Sequence, residues 1–410
     1  MSSNEWKIYS LEYLCSKITS GGTPNTQIRE FYDGNIPWLK TQEVTFNRIY
    51  KTETFITEEG LNNSSAKWIP VNAVIVAMYG ATAGRIAINK IPLTTNQACC
   101  NLIVDAQKAN YNFIYYNLLS RFTEIAGMAV GGAQPNLNAG MIKDLKISLP
   151  EINIQNRIAS TLTSIDDKIE NNIATNQTLE EIARTIFKEW FVNFNYPDTD
   201  GNRKHSEFGE IPSDWEVGRL GDIYKTTSGG TPSRSKPEYY ESGTIGWIKS
   251  KELNNTFILD TEEKITEVAL KNSSAKLLTK HSVLVAMYGA TVGEIGITAY
   301  DFTCNQAICA FLPNESYPYT FIYHFLLQCK QDIIGQAVGS AQQNISQQLL
   351  LQYKLVIPPS ELVKEFHKIV EPLFEKIKDN IQENESLTEL RNSLLPKLMS
   401  GEICLNISND

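Results

Sequence analysis

Two short runs, Gly21-Gly22-Thr23-Pro24 and Gly229-Gly230-Thr231-Pro232, join bare backbone to a hydroxyl. Such a run can aim amide N–H groups, at Gly22 for instance, and the Thr23 or Thr231 hydroxyl toward a phosphate; it can equally be a tight turn. Lys40 and Lys249, and Lys67 and Lys276, stand at matching places and are candidate phosphate partners. Gln134-Pro135-Asn136 and Gln342-Gln343-Asn344 are amide-rich loops. They are able to bond an adenine edge bidentately or to cap the helix that follows. Tyr79 and Thr82, with Tyr288 and Thr291, sit in two copies of Met-Tyr-Gly-Ala-Thr and join the candidate nucleic-acid contacts. So do the cations Arg48, Arg85 and Lys251. Asn96-Gln97 and Asn305-Gln306 lie beside apolar residues and read as satisfied core amides.

Catalytic patterns are missing. Gly80-Ala81-Thr82-Ala83-Gly84-Arg85 lacks the lysine and spacing of a P-loop, and no G-x-G-x-x-G opens a helix. No Asn-Pro-Pro-aromatic or Asp-Pro-Pro-aromatic loop suggests methyl transfer, and no G-x-S-x-G is present. The four histidines, His205, His281, His324 and His367, have no counterparts in the other half of the chain. The seven cysteines lack C-x₂-C spacing and read as reduced thiols in a cytoplasmic protein, so neither metal nor cofactor is expected. The chain reads as a binder.

These motifs come in pairs because the chain is one unit written twice. Residues 61–88 align with 270–297 with 17 identities in 28 positions, which makes duplication the only economical reading. Each copy begins with about 150 residues of short strand-like runs and Gly, Asn, Ser and Thr turns, a compact α+β domain. Within it, 74–79 reads as a buried strand and 112–128 as a helix. Each copy ends in a long polar helix. The expected division is a domain over 1–150, a helix over 151–192, a linker over 193–209, a second domain over 210–358 and a second helix over 359–401. Heptads in the two helices put apolar residues at the seam ends and two asparagines in each middle, Asn172 and Asn176 against Asn380 and Asn384. An unpaired buried amide costs about 1–3 kcal/mol, so the seams are expected to pair and set register through these residues. Antiparallel pairing matches 172 with 384 and 176 with 380; parallel pairing would also align the amides, so the pattern argues for pairing and register rather than direction. Pro372 should kink the second helix or delay its start.

With 410 residues and a net charge of −9, the chain is long enough for two or three cored domains. Residues 151–200 and 359–410 carry −5 and −4 while 1–150 and 201–358 carry +2 and −2, so the charge permits DNA binding without predicting it. No run approaches a membrane span. If the domains read different sequences, residues shared by both cannot encode the difference. Selectivity then belongs to 41–60 and 250–269, and to single changes such as Arg85 against Glu294.

In order, these motifs resemble the specificity subunits of type I restriction-modification systems. The likeness rests on two copies of GGTP, W[IL]K, NSSAK, MYGAT-x-G, NQ and G-x-AQ-x-N, each followed by a long helix. Ile186-Phe187-Lys188-Glu189-Trp190-Phe191, Gly209-Glu210-Ile211-Pro212-Ser213-Asp214-Trp215 and Leu394-Leu395-Pro396-Lys397-Leu398-Met399-Ser400-Gly401 add to it. The resemblance implies two pseudo-repeated mixed α/β target-recognition domains separated by a pair of long antiparallel coiled-coil helices. It implies that each domain reads half of a bipartite, asymmetric site on double-stranded DNA. It further implies that the chain is non-catalytic and docks two modification (methyltransferase) subunits, with restriction subunits optional. S-adenosylmethionine would belong to those partners.

Overall fold

The computed structural model describes residues 6–129, 136–336 and 344–403. It divides into two compact units, residues 1–170 with 385–410, and residues 171–384. Each unit is therefore closed by part of both long helices. The helices run Ile152–Phe191 and Ser360–Met399.

In the first unit a five-stranded sheet has the order Cys15–Ser20, Cys99–Val104, Val74–Ala77, Ile86–Asn89, Arg48–Ile49. A three-stranded sheet, Thr54–Ile56, Tyr32–Leu39, Thr94–Thr95, lies next in the chain's logic, and Lys7–Ser10 pairs antiparallel with Lys146–Leu149. Val74–Ala77 is central because all four side chains are small or β-branched and all four are buried, as a strand covered on both faces requires. The second unit repeats this topology: Thr226–Ser228, Ile308–Phe311, Val283–Ala286, Ile295–Thr298, Thr256–Ile258, then Lys264–Ile265, Ile245–Ile248, Thr303–Cys304, then Glu216–Arg219 with Lys354–Ile357. Register repeats as well: Val74 faces Leu102, and Val283 faces Phe311.

The long helices complete the two cores. Ile158, Ala159 and Leu162 join Leu395, Leu398 and Met399 in the first, packed with Leu11 and Leu14. In the second, Ala183, Phe187 and Trp190 join Val363, Phe366 and Val370. The helices run antiparallel where they meet. Within the second unit Asn172 Nδ2 donates to Asn384 Oδ1 at 2.9 Å and to Glu383 at 2.8 Å. Asn380 Nδ2 donates to Asn176 Oδ1 at 2.7 Å, and Asn176 Nδ2 to the Ile377 carbonyl at 3.4 Å. Two neighbouring amide layers pair groups that would each be costly alone, Asn380 Oδ1 excepted.

Three local expectations need correction. The second helix does not start late, because it begins at Ser360 and continues through Pro372. Losing one N–H there is tolerated inside a helix held by Phe366, Val370, Phe374 and Ile377. The 193–209 stretch is only partly a linker. Arg203–Ser206 pairs with Gly209–Pro212, and Phe194 and Tyr196 pack on Trp215 at 5.2 and 5.5 Å between ring centroids. The expected 112–128 helix is two, Tyr111–Ser120 and Phe122–Gly127, whereas its counterpart Tyr319–Gln336 is continuous. The break falls at Arg121, whose guanidinium reaches the Lys146 carbonyl at 2.7 Å. At the matching place Cys329 Sγ bonds the Phe325 carbonyl one turn back, which a helix allows.

Candidate nucleic-acid interface

The glycine-rich runs are irregular segments laid against the strands after them, and the Gly22 and Gly230 amides are already used. Gly22 N–H donates to the Thr95 carbonyl at 2.9 Å, and Gly230 N–H to the Cys304 carbonyl at 2.9 Å. A Cβ on Gly21 or Gly22 would strike the backbone of 95–96 or 65–66, so close chain approach explains both glycines. The shared tryptophans hold each run in place. Trp38 Nε1 donates to the Gly22 carbonyl at 2.9 Å, and Trp247 Nε1 to the Gly230 carbonyl at 3.0 Å. Tyr32 and Tyr240 hydroxyls donate to the Pro24 and Pro232 carbonyls at 2.7 and 2.6 Å. GGTP, NSSAK, W[IL]K and NQ are thus one assembly in each unit.

That assembly corrects the reading of the Asn-Gln pairs. Asn96 Oδ1 accepts from Ala98 N–H at 3.2 Å and Asn305 Oδ1 from Ala307 N–H at 3.1 Å, which closes a turn. Gln97 and Gln306 are exposed rather than core. Thr23 Oγ1 donates to Gln97 Oε1, and Thr231 Oγ1 to Gln306 Oε1, the same contact in both units. The signal that would have revealed them was present, since a repeated Gln on a turn between two short strands has no core to enter.

The Met-Tyr-Gly segment borders this turn. Met78 N–H donates to the Ala98 carbonyl at 2.8 Å, and Met287 N–H to the Ala307 carbonyl at 2.8 Å. Tyr79 and Tyr288 are exposed, and each bridges in antiparallel fashion to Asn136 or Asn344, which are exposed too. Tyr288 Oη also donates to the Gln306 carbonyl at 2.9 Å. Thr82 Oγ1 turns inward to the Tyr79 carbonyl at 3.1 Å, and Thr291 is half-buried. The structure therefore gathers Thr23, Gln97, Tyr79 and Asn136, and their repeats, around one edge. Gln134 and Gln342 lie outside the described residues.

The cations divide. Lys67 is exposed, and Lys40 carries its ammonium 5.5 Å from the Trp38 ring centroid. Lys276 donates to Thr227 Oγ1 at 2.9 Å. Lys249 differs from Lys40, since Glu262 and Glu263 hold its ammonium at 3.1 and 2.7 Å. Lys251 also pairs with Glu262, at 2.6 Å. Arg234, unremarked in the sequence, pairs with Glu263 at 2.6 Å and lies 4.3 Å from the Tyr240 ring centroid. Hydrogen bonds from Arg234 and then Lys249 hold the Glu263 carboxyl down at about 2. Arg85 is half-buried. Arg48 was expected at DNA but is ion-paired with Asp167, and with Glu170 at 3.3 Å, on the first long helix. Only 7% of its side chain is exposed, which takes it away from an outside phosphate.

No group of three or more His, Cys, Asp and Glu among the described residues could hold a metal. Burial pushes the thiols of Cys15, Cys100, Cys304 and Cys309 up to about 12, which leaves them unreactive. No helix among the described residues is long and apolar enough to cross a membrane.

The model for the type I restriction modification DNA specificity domain matches residues 3–181 and 212–389. The MjaIX specificity subunit, of a type I restriction enzyme of Methanocaldococcus jannaschii, is 30% identical over 409 residues, 97% of this chain and 94% of that one. The HindI specificity subunit of Haemophilus influenzae is 25% identical, over 98% and 100%. Among solved structures, the S subunit of a type I restriction-modification system from M. genitalium superposes with a TM-score of 0.63 at 19% identity, covering 96% of each chain.

Proposed function

Because this chain belongs to the type I restriction-modification DNA specificity family, we propose that it chooses the DNA site at which partner subunits act. Each globular domain reads one half of a bipartite, asymmetric site on double-stranded DNA, and the two helices set the gap between the halves. The chain is a non-catalytic specificity subunit that assembles with other subunits of the system. Two modification subunits dock on it, restriction subunits can join, and the complex works in the cytoplasm. A helix of 40 residues is about 60 Å long, enough to separate half-sites by a duplex turn of ~34 Å or more.

The observation that carries this reading is the same exposed polar edge built twice, from the same motifs. Ile173, Ile182 and Ile369, all more than 40% exposed on the long helices, lie open to a docked subunit. In this reading Lys40, Lys67, Lys276, Tyr79, Tyr288, Asn136 and Asn344 meet DNA. Half-site selectivity belongs to the segments that differ. In the first domain, residues 42–53 line an open groove with Gln42, Asn47 and Lys51.

Mapping methylated adenines in a host that carries this chain and its modification subunits tests the proposal. The expected pattern is one asymmetric two-part motif with a fixed gap, absent when the chain is deleted. Methylation at a single continuous motif, or methylation indifferent to the chain, overturns it.

A further inference from the structure

The Thr23–Gln97 and Thr231–Gln306 couples are absorbed by neither the core nor the proposed reading of different half-sites. Both glutamines are exposed, so folding does not require their side chains. Both couples are nevertheless built alike. The threonine stands on a glycine run fixed by a tryptophan N–H, and the glutamine on a turn closed by its neighbouring asparagine. In each, the threonine hydroxyl donates its only proton to the glutamine oxygen. A glutamine held by its oxygen keeps both amide protons for an outside acceptor.

The surroundings of the two couples differ while the couples do not. Lys40 is not ion-paired among the described residues, whereas Lys249 is held by two glutamates. Arg85 stands where the other domain has Glu294, whose carboxylate is taken by Lys330 at 2.9 Å. An exposed polar contact kept identical between domains that otherwise differ is suited to what both halves of a DNA site share, and that is the phosphodiester backbone rather than a base. We propose that Gln97 and Gln306 donate to backbone phosphate oxygens, and that Thr23 and Thr231 orient them, as one sequence-blind clamp per half-site. A neutral donor also suits a chain with net charge −9, because it binds phosphate without needing a basic face. The inference rests on the DNA-reading function proposed above.

The test uses the full chain assembled with its modification subunits and two duplexes, one carrying the mapped site and one scrambled. Gln97→Ala is expected to weaken binding to both duplexes by the same factor, about fivefold for one lost hydrogen bond. Because glutamine is neutral, the dependence of affinity on salt should keep its slope. Gln306→Ala should do the same, and the double variant should multiply the losses to about 25-fold. Thr23→Val keeps the amide but frees it to rotate, and should cost about twofold. Unchanged affinity in the glutamine variants overturns the clamp, as does a loss confined to the mapped site, which would make these residues base readers. A lowered melting temperature with proportionate loss of binding would make them structural and also overturn it. If the unaltered complex binds neither duplex, the DNA-reading function itself falls.

Discussion

The two units grip the long helices with opposite chemistry at equivalent places. In the first, Asp166 accepts from the Tyr116 hydroxyl at 2.6 Å and from Arg391 Nη1 at 2.8 Å, while Arg48 pairs with Asp167 and Glu170. Burial and the Asp166 carboxylate push the Tyr116 hydroxyl well above its usual range. In the second unit the repeat places His324, Phe374, Ala183 and Phe257 where these four stand. There Phe374 packs on Phe257, His324 and Tyr323 at 6.0, 5.4 and 5.4 Å, and Ala183 is fully buried. Next door the exchange is reversed. Phe46 and Phe122 make an edge-to-face pair at 4.8 Å in the first unit. Their counterparts Asn255 and Lys330 instead hold Glu294 at 2.6 and 2.9 Å in the second. Each unit thus has one ionic and one aromatic joint, in swapped positions, around a tyrosine that does not change. Tyr115 and Tyr323 donate to the carbonyls of 46 and 255 at 2.9 and 2.6 Å. The backbone frame carries either chemistry at the same place.

The largest test removes the aromatic joint. Phe374→Ala takes away a ring that touches Phe257, Tyr319, Tyr323 and His324. It should destabilise 171–384 by about 4 kcal/mol, read as lost hydrogen-exchange protection there and not in the other unit. A loss below about 1.5 kcal/mol would mean that the cluster can collapse around the gap.

Next comes the ionic joint. Arg391→Ala leaves Asp166, 9% exposed, with only the Tyr116 hydroxyl, and should cost the first unit about 3 kcal/mol. Denaturant titration measures it, and a neutral outcome would show that water replaces the guanidinium.

Acid should then separate the units, because all four histidines lie in 171–384. His324 is 3% exposed, stacked on Phe187 and bonded through Nδ1 to the Thr320 carbonyl at 2.7 Å; burial lowers its pKa to about 4. The folded imidazole stays neutral while the unfolded one takes up a proton below about 6.5. Stability is therefore full above that pH and falls as pH drops toward 4, by roughly 2 kcal/mol at pH 5 from this residue. Unfolding midpoints at pH 7 and pH 5 should diverge between the units, and His324→Phe should shrink the difference.

Much of this frame is legible in the sequence because it depends on pattern. The apolar run marks a strand over 74–79, of which Val74–Ala77 forms, and heptads with two asparagines apiece call for paired seams; their direction, which the pattern leaves open, is antiparallel, with amide hydrogen bonds joining 172 to 384 and 176 to 380. What escaped depends on partners distant in the chain. Arg48 looks like any surface cation until the helix brings Asp167 beside it. Gln97 looks like a core amide until Thr23 meets it at the surface. Arg121 breaks its helix for a carbonyl on the strand Lys146–Leu149. No local rule states those choices: the copies share the Thr–Gln contact, yet part at Arg48 against Phe257 and at Arg121 against Cys329.

The closing of the first core by residues from the other end of the chain has a consequence for biosynthesis. Ile158 and Leu162 leave the ribosome more than 200 residues before Leu395, Leu398 and Met399, their partners in one cluster. The nascent polypeptide must carry an uncovered apolar strip throughout that interval, while the later unit can close around its own helix segments first. The domain that is translated first is finished last.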